Sequence, residues 1–146
     1  MATFIDLLVT LSQAAQPRID LELERALLQL DCMLELLAGD LQVEHFGPVV
    51  GLGAGANAYR LVVRAHVLQA DQLVWGLRVC TALPHAGWRA DWTVQGASRL
   101  RKQKILRQLP EFFSGYADSI RAAGKADTNA ARRIIELAQR FRDAKN

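Results

Sequence analysis

A chain of 146 residues with 51% hydrophobic and 23% charged residues has the composition of one folded domain and excludes a disordered chain. Its two cysteines, Cys32 and Cys80, are too few for a disulfide framework and lack metal-ligand spacing, so we expect a reducing, cytoplasmic location. No stretch of about 18 residues is free of charge and apolar throughout, so we expect no membrane span.

The net charge of +3 is unevenly distributed along the chain. Residues 1–72 contain four basic and nine acidic residues, a net charge of −5, whereas residues 73–146 contain 14 basic and six acidic residues, a net charge of +8. This asymmetry indicates either an acidic or nucleic-acid partner, or two halves that attract each other within one subunit or across a dimer. We favour the second interpretation.

The chain opens with two predicted helices. Phe4, Leu7 and Leu11 recur at helical spacing, with Thr3 as a candidate N-cap. Residues 19–38 repeat the pattern, and Gly39 suits the position just after a helix. The apolar stripe of this second helix comprises Leu23, Ala26, Leu27, Leu30, Met33, Leu34 and Leu37.

The middle of the chain alternates with period two, as strands do. Residues 59–68, 73–80 and 88–95 place β-branched and aromatic side chains on one side, and residues 41–50 resemble an earlier strand ended or bulged by Gly47-Pro48. Breaks at 69–72 and 84–87 suit hairpins. The pattern predicts a four-stranded antiparallel meander.

Two helices follow the predicted sheet. Ser98 is a candidate N-cap for the first, Pro110 predicts a kink or restart within it, and Gly124 ends it. Either Asp127 or Thr128 caps the second helix.

These elements define the predicted fold class. The order α-α-β-β-β-β-α-α, with no linker or repeat, predicts a single α+β domain over residues 1–146. Its N- and C-terminal helices are expected to pack on one face of the sheet.

The glycine-rich stretch at residues 50–57, VGLGAGAN, is similar to a nucleotide-binding loop. Such a loop must lead into a helix, and the second strand must end in an acidic residue. Here a strand pattern follows the glycines, and Thr81-Ala82-Leu83 follows the next strand. We therefore interpret residues 50–57 as an inter-strand loop and expect no nucleotide or other cofactor.

A basic run begins the first C-terminal helix and is a candidate anion or nucleic-acid contact. Such charges neutralise phosphates, but no aromatic residues are interleaved for base stacking. The alternatives are a solvated helix face or one paired with the acidic N-terminal helix. The run consists of Arg99, Arg101, Lys102, Lys104 and Arg107.

The polar face of the predicted sheet is a second candidate. It suits an anionic ligand or an acidic partner helix, although an antiparallel sheet also leaves such a face in water, and we favour that simpler interpretation. Its basic members are Arg60, Arg64, His66, Arg78 and Arg89.

Three tryptophans fall on the apolar sheet face by alternation: Trp75, Trp88 and Trp92. Core packing is the favoured interpretation, because tryptophans bury large areas. The alternative is an apolar ligand cup that the three tryptophans line.

No catalytic motif or zinc spacing includes the three histidines, His45, His66 and His85. We therefore expect a small non-catalytic accessory protein, an adaptor or regulator, that acts through protein–protein contacts and self-associates. The alternatives are nucleic-acid binding through residues 98–109 and the tryptophan-lined cup.

Overall fold

The computed structural model describes residues 3–50, 58–69, 71–83 and 87–145, with the backbone alone for 68–69, 82–83, 87–92 and 145. The glycine-rich residues 51–57 lie outside the described residues. The elements in chain order are α1 (Phe4–Ser12), α2 (Leu21–Leu41), β1 (His45–Phe46), β2 (Tyr59–Gln69), β3 (Gln72–Leu83), β4 (Gly87–Trp92), α3 (Arg99–Ala122) and α4 (Asn129–Lys145).

Short polar side chains begin the helices, as the sequence predicts for three of the four. Thr3 and Asp6 form a capping box on α1, the Ser98 hydroxyl accepts from the Arg101 N–H, and the Thr128 hydroxyl accepts from the Ala131 N–H. Each cap satisfies a backbone donor that has no partner inside its helix. Thr128, rather than Asp127, therefore caps α4.

The helix ends differ from prediction in two places. Gly39 does not end α2, which continues to Leu41 and stops at Gln42 in the left-handed region (φ 52°). Leu41 is 1% exposed, so the extra turn buries one more leucine. α3 continues through Pro110, with fully buried Leu109 before it and fully buried Phe112 after it, so the restart is absent, whereas a kink at Pro110 stays a prediction. Gly124 follows α3 with φ 73°, as predicted.

The sheet is antiparallel in the order β1-β2-β3-β4, which confirms the α+β class. Its centre is the long β2–β3 hairpin, paired from Tyr59 opposite Thr81 to Val67 opposite Leu73. The prediction of a strand over residues 41–50 is wrong for most of that segment. Only His45–Phe46 form a strand, and residue 41 belongs to α2. Three longer strands make up the body of the sheet.

One apolar core joins the inner sheet face to all four helices. Leu61, Val63 and Leu77 are almost fully buried on that face, and Phe113 of α3 stacks on Phe141 of α4 with ring centroids 5.8 Å apart. Burial of this inner face leaves the opposite sheet face to carry the polar side chains.

Candidate binding surfaces

Helix α2 has leucines on two opposite faces. Leu27 and the other members of the predicted stripe are buried, apart from the partly buried Met33, so that stripe packs in the core. On the opposite face, Leu21, Leu28 and Leu36 are 66%, 51% and 73% exposed. At 3.6 residues per turn these three leucines lie within an arc of about 80°. They form the outer leucine face of α2.

A groove adjoins the outer leucine face. It lies between α1 and α2, has a volume of about 430 Å³, and includes Phe4 and Leu7 of α1 with Arg25 of α2. Arg25 is one helical turn from both Leu21 and Leu28. The groove therefore borders the outer leucine face, and its lining combines apolar with polar and charged side chains.

The acidic and basic halves of the chain meet inside one molecule. The Lys102 Nζ of α3 lies 2.6 Å from Glu24 Oε1 of α2, and Gln95 donates to Glu24 Oε2 at 3.1 Å. The hydrogen bond from Lys102 is the main cause of the lowered pKa of Glu24. Arg140 of α4 also forms an ion pair with Asp6 of α1. The charge asymmetry thus has an intramolecular use.

The five residues of the basic run differ in burial and in their interactions. Lys102 is 6% exposed and paired, and the Arg101 guanidinium lies over the Tyr59 ring, 5.5 Å from its centroid. Arg99, Lys104 and Arg107 are exposed. Only these three can therefore contact a polyanion without disrupting a local interaction.

The outer sheet face brings together four of the five predicted polar residues. Arg60, Arg64 and His66 project from β2, and Arg78 projects from β3 opposite Val62. Val62 is only 1% exposed because long side chains occupy the neighbouring positions. Arg60 donates from Nε to the Gly47 carbonyl at 2.9 Å. The side chain of Arg89 lies outside the described residues.

The structure describes the side chain of one of the three tryptophans predicted to lie on the apolar sheet face. Trp75 is half-buried and packs against the core, whereas the side chains of Trp88 and Trp92 lie outside the described residues. A ligand cup therefore stays a prediction.

His45 has a buried polar environment that the sequence did not indicate. Its Nδ1 lies 2.9 Å from the Ser119 hydroxyl, and its ring contacts Phe112 edge-on. A Cβ at Gly115 would lie 2.7 Å from His45 Nε2, so a larger residue there would have to displace the ring. Burial and the Arg60 charge lower the pKa of His45. A glycine inside a helical pattern was the one available signal.

Asp31 is a second site that sequence reasoning missed. Its position off the leucine stripe suggests a solvated carboxylate, but it is 6% exposed and accepts from the Val94 N–H at 3.2 Å and the Gln95 N–H at 2.8 Å. Burial raises the pKa of Asp31 to about 6, against the effect of those two hydrogen bonds. Asp31 therefore anchors the segment after β4 onto α2.

The described residues include no group of three His, Cys, Asp or Glu side chains able to hold a metal ion. None of the described helices combines the length and the apolar character needed to cross a membrane. Comparison with protein-family models, curated proteins and solved structures finds no match. The surfaces themselves are therefore the basis for a functional proposal.

Proposed function

We propose that this chain is a non-catalytic accessory protein, an adaptor or regulator, that acts through protein–protein contacts and self-associates through the outer leucine face of α2. The observation that carries the proposal is the alignment of Leu21, Leu28 and Leu36 on the solvent side of a 21-residue helix. Isolated exposed leucines need no explanation, but an aligned set beside a groove is typical of an interaction surface.

The outer leucine face suits contact with a second copy of itself. Leu28 lies near the midpoint between Leu21 and Leu36, and the stripe is roughly 22 Å long. In an antiparallel two-fold pair, Leu21 of each copy meets Leu36 of the other, and the two Leu28 side chains meet near the axis. Three leucines alone do not reach the roughly 800 Å² per partner of a stable interface, so the adjoining groove must contribute.

Sedimentation equilibrium over a range of protein concentrations tests this proposal. We expect concentration-dependent self-association, weakened at least about tenfold by Leu28→Glu or Leu36→Glu, because either change places a charge in an apolar contact. Leu100→Glu is the matched control, since Leu100 is 63% exposed on a different helix, α3. A wild-type chain that remains monomeric at all concentrations contradicts self-association, and equal weakening by the control contradicts the assignment to α2.

Nucleic-acid binding is the second candidate, favoured by the exposure of Arg99, Lys104 and Arg107 on α3. We expect the triple change of these residues to Gln to abolish retention of a labelled oligonucleotide at low salt, and wild-type affinity to fall steeply with salt. Changing exposed Arg132 and Arg133 of α4 to Gln is the control. No retention by the wild-type chain at low salt rejects this candidate.

A further inference from the structure

Two arginines and a histidine surround Gly76 on the outer sheet face. Arg64 of β2 lies directly opposite Gly76 of β3, and Arg78 lies two residues further along β3 on the same side. His66 lies two residues beyond Arg64, opposite Val74. Side chains at such directly opposed and diagonal positions are within reach of one another.

The absence of a side chain at Gly76 lets Arg78 lie flat across the strand. A Cβ at Gly76 would be 2.8 Å from the Arg78 Nη1, so the guanidinium occupies the space opposite Arg64. The same nitrogen donates to the Leu77 carbonyl at 2.9 Å. Burial, then the charges of Arg78 and Arg64, lower the pKa of His66 to about 4.

These two arginines have unused hydrogen-bonding capacity. Among the described residues, neither Arg64 nor Arg78 forms an ion pair, and both are half-buried. A guanidinium has five N–H donors, of which Arg78 uses one on its neighbouring carbonyl. Two like charges held together at a partly buried surface repel each other unless an anion lies between them.

Within the described part of the chain, neither of the two acidic side chains near Arg78 forms an ion pair with it, so neither supplies the anion between the two arginines. Asp31 acts on Arg78 through space, but its carboxylate oxygens accept from the Val94 and Gln95 backbone. Glu35 of α2 is exposed, and its Cγ lies 3.6 Å from the position of a Gly76 Cβ, yet its carboxylate makes no ion pair with Arg78 among the described contacts. Glu35 is therefore placed at the rim, where it competes with an incoming anion.

We propose that Arg64 and Arg78 bind the phosphate group of a small phosphorylated molecule on the outer sheet face, beside Gly76. Two guanidinium forks from adjacent strands match a phosphate, which offers several oxygens and up to two negative charges, better than a single carboxylate. The neutral His66 ring borders the site without adding a third positive charge. This site does not depend on self-association, because no residue of the outer leucine face takes part.

The test is an NMR titration of the ¹⁵N-labelled chain with inorganic phosphate and, separately, phenyl phosphate, each at constant ionic strength against chloride. We expect saturable shifts of the Gly76 and Arg64 amide signals. Arg78→Gln and Arg64→Gln are expected to weaken binding at least about tenfold, because each removes a charge-assisted contact. Glu35→Gln is expected to tighten binding several-fold, because it removes the competing carboxylate.

Arg132→Gln and Arg133→Gln are the matched controls, since both remove an exposed arginine elsewhere on the protein. Arg78→Lys keeps the charge but removes the fork, and its binding is expected to lie between wild type and Arg78→Gln. Tighter binding of phenyl phosphate than of inorganic phosphate supports a phosphorylated small molecule, and the reverse order overturns that identity. Absence of saturable shifts, or equal weakening by Arg132→Gln, overturns the site itself.

Discussion

The Glu24–Lys102 pair predicts an unequal response to removal of each partner. Lys102 is buried, whereas the Glu24 side chain is 28% exposed and can turn toward water. Glu24→Gln leaves a buried ammonium without its counter-charge and is expected to cost about 2–4 kcal/mol. Lys102→Met keeps the packing of the stem and is expected to cost about 1 kcal/mol or less. Urea unfolding measures both values.

The double variant is the control for that pair. Glu24→Gln with Lys102→Met is expected to cost less than the sum of the single changes, because neither partner is then left alone. Equal costs for the two single variants would contradict the unequal burial of the pair.

Asp31 and His66 have opposite effects on how the free energy of unfolding depends on pH. The pKa of Asp31 is raised from 3.8 to about 6, so the folded state holds this proton more tightly and the free energy of unfolding falls, by about 2 kcal/mol, as pH rises from 4 to 6. The pKa of His66 is lowered from 6.5 to about 4, so its contribution rises with pH over nearly the same window. We expect the two effects largely to cancel in the wild type.

Single substitutions separate the two effects. In Asp31→Asn the free energy of unfolding is expected to rise more steeply between pH 4 and 6 than in the wild type, and in His66→Gln it is expected to rise less or to fall. Chemical denaturation at a series of pH values measures the slopes. Identical slopes in the wild type and both variants would contradict these assignments.

At the scale of helices, two glycines predict opposite effects of the same change. Gly39 lies inside α2 with no atom within 4 Å of the place that a Cβ would occupy, so Gly39→Ala is expected to stabilise by up to about 1 kcal/mol through helix propensity. Gly115 lies inside α3 against the His45 ring, which Ser119 holds. Gly115→Ala must displace that ring and is expected to destabilise by about 1 kcal/mol or more.

Thermal unfolding measures the stability of both variants relative to wild type. Each variant is the control for the other, because both are Gly→Ala changes inside a helix. The His45 ring signals in NMR are expected to shift in Gly115→Ala and to stay unchanged in Gly39→Ala. Stabilisation by both substitutions would show that the His45 ring moves at no cost.

Sequence periodicity predicts which helices and strands exist better than it predicts the residues at which they end or the environment of each side chain. The helical pattern of α2 identifies the leucines that are buried. Leu21, Leu28 and Leu36 also share a helical face by spacing, but only the structure shows that this face is exposed. Local sequence propensity likewise gives no information about contacts between residues that are far apart in the chain. The environments of Asp31 and His45 depend on partners 63 to 74 positions away, so no local pattern could predict them.

At the scale of the whole molecule, the charge asymmetry acts mainly within the chain. The acidic N-terminal helices contact the basic C-terminal helices through Glu24–Lys102 and Asp6–Arg140. These two ion pairs use part of the opposite charge inside one molecule. The proposed association through the outer leucine face of α2 does not depend on them.

This division of roles predicts how self-association depends on salt. An association between oppositely charged halves weakens when the Debye length shortens from roughly 14 Å at 50 mM salt to about 4 Å at 500 mM. An association through the outer leucine face buries apolar area and is expected to change less than about threefold over that range. Sedimentation equilibrium at both salt concentrations distinguishes the two mechanisms. A tenfold or greater loss of affinity at 500 mM would contradict the leucine contact and favour a charge-driven dimer, whereas unchanged affinity in high salt, lost in Leu28→Glu, identifies α2 as the contact surface.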